Sequence, residues 1–268
     1  MAKLEIKFGP LLPDPRTFQN NTATLTGEGK AVLSLRGFAC AASMMVPSYH
    51  LWLAATEAEV TAGSALDYPD LVMHTYMRES MLDHLLVQVR KLFDPDPKSL
   101  AAGTIALLLD EPKIREYLVH RALGSTSAGV TLDPQWAEDH LRLAQQRCSL
   151  GLVTDVNNLP TDAPLFQVQA YLARRTVNKR SAHMTLDDYG ITQSDIRDIC
   201  FNILIIARAL HRVHGDDVYS GNYADVDRGS YEAADRVLAH RHTAGLLTCD
   251  LEENIDMLVH RIRSDQAF

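Results

Sequence analysis

The four cysteines, Cys40, Cys148, Cys200 and Cys249, lie far apart and form no Cys-x-x-Cys pair. Three of them fall in stretches that read as helix, which argues for buried thiols in a reducing cytosol rather than disulfides. Long uninterrupted apolar runs are also lacking. The most apolar stretch, Gly37 to Ala55, is broken by Ser43, Pro47, Ser48 and His50, poor material for a membrane span. The opening residues Met1-Ala2-Lys3-Leu4-Glu5-Ile6-Lys7 lack the apolar run of a signal peptide. The expectation is a cytoplasmic protein with no membrane partner. No strand of useful length, internal repeat or low-complexity tract is visible. Nothing resembles a Walker loop, a dinucleotide-binding glycine cluster, a zinc-protease histidine pair or a Gly-x-Ser-x-Gly elbow, and no cofactor is expected. A sequence pI near 5.7 argues against a protein that coats duplex DNA through bulk charge, while leaving room for a small nucleic-acid site.

One further absence is local. Between Asp162 and Asp187 there is no acidic residue, although the formal net charge of the chain is −8. Inside that window lies Tyr171-Leu172-Ala173-Arg174-Arg175-Thr176-Val177-Asn178-Lys179-Arg180-Ser181-Ala182-His183, with four fixed cations ahead of a histidine. No carboxylate nearby in sequence neutralises them, so this segment is the best candidate for meeting a phosphate.

What is present otherwise is helical pattern in a chain long enough to bury a sizeable core. Residues 1–27 are rich in Pro, Asn, Thr and Gly and read as an extended N-terminal arm. Residues 28–268 read as a single helical domain. From Glu28 to about Val60 the composition is helical, and Pro47 is expected to end or kink that helix. From about Asp70 to Phe93 the apolar residues Met77, Met81, Leu85, Val89 and Leu92 recur at helical spacing, and Asp94-Pro95-Asp96-Pro97 stops the run. A short apolar piece spans Ser99 to Leu109, and Pro112 starts a helix that stops at Gly124.

Asp133-Pro134 is a cap and first-turn pair for a helix through Cys148. Thr161, Asp162 and Pro164 open the basic helix. Thr192 with Asp195 resembles a capping box, and Ile196, Ile199, Cys200, Ile203, Leu204, Ala207 and Leu210 follow on one side until Gly215. Residues 216–229 read as a polar connector before two final helices, Tyr231 to about Arg241 and Asp250 to about Arg263. The fold class is all-α, an antiparallel helical bundle with extra N- and C-terminal helices.

On a continuous helix Arg175, Asn178, Lys179, Ala182 and His183 share one face. Arginine and lysine there could bind phosphate while histidine moves protons near neutral pH. Arg174 and Arg180 point elsewhere and could pair with acidic neighbours. The plainer alternative is a solvated basic helix balanced by Asp and Glu of adjacent helices. Arg78 has the same two readings: it reaches the phosphate site, or it forms an ion pair with Glu79, Asp83 or Glu111 that fixes helix register. His211 and His214, with Asp216 or Asp217, could ligate a metal, but helix-end histidines interacting with the dipole explain the pattern as well, and no metal site is assigned.

Asn178-Lys179-Arg180-Ser181-Ala182-His183, followed by a capped apolar helix, resembles the signature of HEPN-like domains, particularly their abortive-infection-associated branch. The upstream Met77-Arg78-Glu79, and Val89-Arg90-Lys91-Leu92-Phe93-Asp94-Pro95-Asp96 with Ser99, resembles that branch too. The resemblance covers about residues 65–214. It implies a helical bundle that forms a homodimer with two arginine–histidine pairs at the interface, and a metal-independent endoribonuclease in which an RNA 2′-hydroxyl attacks the adjacent phosphate. His183 would then be the general base or acid, Arg175 would stabilise transition-state charge, and Asn178, Lys179, Arg174 and Arg78 would contact substrate. The setting it implies is phage defence or a toxin–antitoxin pair, with RNA or a nucleotide as ligand and an antitoxin-type protein as possible partner.

The family places arginine ahead of the histidine with four to six residues between them, positions held here by Asn178, Val177 and Thr176. Arg175 has seven residues between it and His183 (183 − 175 − 1 = 7). Asparagine can hydrogen-bond a phosphate but supplies no cation. Either Arg175 substitutes across the dimer or the protein binds without cutting. The rival expectation is a non-catalytic helical interaction protein or homodimer whose basic helix meets an acidic protein partner. A metal-dependent hydrolase built on His211, His214 and Asp217 is a third.

Overall fold

The computed structural model describes residues 27–62, 68–94, 99, 101–124, 133–149, 192–214, 223–238 and 245–264. Among these residues all regular structure is helical, as expected. The eight helices are α1 (Gly27–Ala62), α2 (Tyr68–Leu92), α3 (Ala102–Asp110), α4 (Pro112–Gly124), α5 (Pro134–Cys148), α6 (Gln193–His214), α7 (Tyr223–Leu238) and α8 (Leu251–Ser264).

Helix α1 is the central element and packs against α2, α3, α4, α6 and α7. Its middle is largely apolar, with Phe38, Met45, Val46, Tyr49, Trp52 and Leu53 buried, the pattern of a helix covered by several neighbours. Pro47 sits inside it. Of the two outcomes expected at Pro47, an end or a kink, the end is excluded: the helix runs through. A proline interrupts one backbone hydrogen bond at a cost of about 3 kcal/mol. Burial of large side chains on both sides of it, each worth about 1.5–3 kcal/mol, exceeds that cost.

The remaining boundaries have local causes. Asp133 caps α5 by accepting from the Gln135 backbone N–H at 3.0 Å, with Pro134 in the first turn. Thr192 and Asp195 form a reciprocal cap on α6. Asp195 Oδ2 accepts from Thr192 N at 2.8 Å and from Thr192 Oγ1 at 2.7 Å, and Asp195 N donates back to Thr192 Oγ1 at 3.2 Å. The whole apolar face expected on α6, from Ile196 to Leu210, is buried. On α2 only the C-terminal half is core: Leu85, Val89 and Leu92 are buried, whereas Met81 is partly covered.

One boundary differs from expectation. Helix α7 begins at Tyr223, so residues 223–229 are helical rather than part of the polar connector. Tyr223 and Asp227 are both buried on that added stretch, and it is packing against α1 that makes it helical. Cys40, Cys148 and Cys200 are free and buried, and burial pushes the Cys148 and Cys200 thiols upward; Cys249 is free and exposed.

Candidate functional site

Helices α5 and α6 flank the basic segment in sequence, and their contacts show how the two helices run relative to each other. Arg147, in the last turn of α5, donates from Nη1 to the Asn202 side-chain oxygen on α6. Earlier on α5, His140 Nε2 lies 3.0 Å from Arg212 Nη1 near the end of α6. As α5 advances the α6 partner retreats, so the two helices are antiparallel. Ser149 and Thr192 therefore sit toward the same end of this pair. Arg174, Arg175, Asn178, Lys179 and His183 all lie outside the described residues, as do Arg180 and the opening residues Thr161, Asp162 and Pro164.

At that end of the bundle Arg147 is an arginine that sequence reasoning passed over. Its burial pulls the guanidinium down to about 10. Asn202 is oriented by donating its own Nδ2–H to the Asp198 carbonyl at 2.8 Å. The only signal in sequence was an arginine in the last turn of an amphipathic helix, which ordinarily reads as a favourable dipole contact.

Arg78 is the one candidate contact residue among the described residues, and it meets carboxylates. Its Nη1 lies 3.0 Å from Glu59 Oε1, and its Nη2 and Nε reach Glu79 Oε1 at 2.7 Å and 3.1 Å. Thr75 also donates to Glu59 at 3.2 Å. Glu79 was among the partners expected from sequence; Glu59, on the preceding helix, was not. The arrangement ties α2 to α1.

His211 is half-buried on α6, and Asp216 and Asp217 lie outside the described residues, as does the side chain of His214. Among the described residues no group of three His, Cys, Asp or Glu could hold a metal ion. No described helix is long and apolar enough to cross a membrane.

Two polar clusters emerge that no sequence pattern announced. His50 on α1 and Asp227 on α7 form a hydrogen-bonded pair with both side chains fully closed off from solvent. Asp227 Oδ2 also accepts from Thr248 N at 2.7 Å and Thr248 Oγ1 at 2.8 Å. The second cluster joins α5, α6 and α8. Arg212 donates to Asp256 Oδ1 at 2.6 Å and also to Glu252, which takes a further 2.6 Å bond from Arg208 Nε. Fully buried Asp139 accepts from Gln135 at 2.8 Å and from Arg263 of α8. The partners in both clusters lie far apart in sequence.

Comparison with family models, with curated proteins and with solved structures finds no match to this chain. The site is therefore read from its own residues.

Proposed function

We propose that this chain is a HEPN-like helical protein that binds RNA, or the phosphates of a nucleotide ligand, through the basic segment between α5 and α6. The observation that carries the reading is the acid-free stretch from Asp162 to Asp187, with Arg174, Arg175, Lys179 and Arg180 ahead of His183 in a chain of net charge −8. The all-α bundle is the kind of frame that the resemblance implies. The antiparallel α5–α6 pair is compatible with it, because Ser149 and Thr192, the described residues on either side, sit toward the same end of that pair. In the strongest form of the proposal the protein is a metal-independent endoribonuclease acting as a homodimer in a phage-defence or toxin–antitoxin setting. His183 moves the proton of the attacking 2′-hydroxyl, Arg175 and Lys179 meet the phosphate, and Asn178 positions it.

Incubation of single-stranded RNA with the purified protein tests this. Cleavage that needs no metal and falls a hundredfold or more in His183→Ala, the size typical of a general acid–base group, supports catalysis. RNA binding that weakens in Arg175→Ala, with no cleavage in either protein, supports a binding member with a degenerate motif. An absence of both removes the proposal.

A second reading has its own observation. Large apolar side chains lie exposed near the α1–α2 turn: Val60 is 80% exposed, and Met73 and Tyr76 are 59% and 69% exposed. Such exposure suits a helical interaction protein that joins a second copy there. Sedimentation that gives a dimer in wild type and a monomer in Tyr76→Glu, with no RNA affinity in either, favours this reading over the first.

A further inference from the structure

The C-terminal helix α8 packs chiefly on α5 and α6, and two of its carboxylates meet one arginine. Arg212 of α6 holds Asp256 and Glu252 of α8 on one side and His140 of α5 on the other. We propose that the His140–Arg212 contact is an acid-sensitive joint that ties α8 to α5 and α6 and lets it loosen before the rest of the bundle. The inference is independent of any role for the basic segment.

The geometry dictates the protonation state. His140 Nδ1 lies 2.7 Å from the Trp136 carbonyl oxygen, which only a ring N–H can satisfy. In the neutral ring the lone pair must then sit on Nε2, facing the Arg212 Nη1 donor at 3.0 Å. The ring is packed against Trp136 with centroids 4.2 Å apart and is almost fully buried, so it has little freedom to turn away. A proton on Nε2 sets donor against donor and cation against cation. Arg212 must then move, and the movement strains its bonds to Asp256 and Glu252. Neither carboxylate is itself enclosed, with Glu252 52% and Asp256 67% exposed, so water competes for them once the guanidinium shifts.

Charged neighbours on every packed element fit this assignment. On α5, Asp139 is engaged by Gln135 and Arg263, and Glu138 by Arg115 from α4. On the α3 side, Asp110 accepts from Gln145 at 3.1 Å. On α6, Arg208 shares Glu252 with Arg212. On α8 the charged groups facing the joint are Glu252, Asp256 and Arg263, whereas His260 is exposed. Burial, reinforced by the charge of Arg212, holds His140 below the ordinary histidine value against the raising effects of the Trp136 carbonyl, Asp256 and Asp139. The joint therefore stays closed at neutral pH and opens on acidification. Leu251, Ile255, Val259 and Ile262 remain buried, so the event is increased local opening rather than departure of the helix.

Hydrogen exchange of the α8 amides at pH 7.5 and pH 5, corrected for intrinsic exchange, tests the proposal on the full chain. Wild-type opening of α8 is expected to rise several-fold relative to α1 and α6, because the opened state binds the His140 proton more readily than the closed one. In His140→Gln, whose amide oxygen accepts from Arg212 at any pH, the ratio is expected to stay flat. An unchanged wild-type ratio, or the same rise in His140→Gln, overturns the joint. Nitrogen NMR of the wild-type ring supplies a test that survives a misfolded variant. An Nδ1–H tautomer that titrates below the ordinary value supports the proposal, and an Nε2–H tautomer refutes it.

Discussion

His50 of α1 and Asp227 of α7 are hydrogen-bonded in the closed interior although 177 residues separate them in sequence. With Thr248 donating twice to the other carboxylate oxygen, Asp227 gathers α1, α7 and the turn leading into α8 around one buried group. Removing one member of a buried pair leaves its partner desolvated and uncompensated, at about 3–5 kcal/mol. Asp227→Ala is expected to lose that much in urea unfolding. A loss under about 1 kcal/mol, the range of surface pairs, would show that His50 finds equal compensation without it.

Thr192→Ala removes the hydroxyl that accepts from Asp195 N at 3.2 Å and donates to the Asp195 carboxylate at 2.7 Å. The expected loss is about 1 kcal/mol, the usual worth of an N-cap. Thr192→Ser keeps the hydroxyl and should recover most of it. Comparison of the two denaturation midpoints checks the cap without disturbing the core.

Arg78→Ala breaks contacts to Glu59 and Glu79 that are only partly shielded, with Arg78 28% and Glu59 15% exposed. A loss of about 1–2 kcal/mol is expected, between a surface pair and a buried one. Ion pairing of this kind favours a structural role, so RNA affinity should change little in a folded Arg78→Ala protein. A large affinity loss at unchanged stability would return Arg78 to the binding surface.

Stability should fall on the acid side of neutrality. Folded His140 sits below its unfolded value of 6.5, so the unfolded chain binds that proton more readily. The contribution is complete above about pH 6.5 and is lost as the pH drops through the folded value. Glu252 adds to this lower down. Burial pushes its carboxyl up, but bonds from Arg212 and Arg208 outweigh that and leave it below 4.5, so its share is present above that pH and lost beneath it. Urea midpoints should be lower at pH 4 than at pH 8, with burial of Asp83, which raises its carboxyl, opposing part of the loss. A midpoint in Asp83→Asn that rises on acidification contradicts both assignments.

Local chemistry made much of this fold legible in sequence. The Asp133-Pro134 start, the Thr192–Asp195 cap, the Pro112–Gly124 helix and the buried stripe on α6 each depend on residues within a few turns of one another. What sequence could not supply is non-local. The start of α7 at Tyr223 depends on burial against α1, and the passage of α1 through Pro47 depends on neighbours that enclose it. Glu59 as the partner of Arg78, and the convergence of His140, Arg212 and Asp256, rest on helix packing that no spacing rule encodes. Of the candidate site, Arg78 lies among the described residues, while Arg174, Arg175, Asn178, Lys179 and His183 lie outside them.

The central claim is that the basic segment meets phosphate, and binding of single-stranded RNA as a function of salt tests it most directly. With Arg175 and Lys179 engaged, and Arg174 as the resemblance implies, log Kobs against log salt should fall with a slope of about −2, at roughly −0.7 per phosphate contact on a single strand. Arg175→Ala should make that slope shallower by about 0.7. No measurable binding at low salt, or an Arg175→Ala slope equal to that of wild type, would contradict the account.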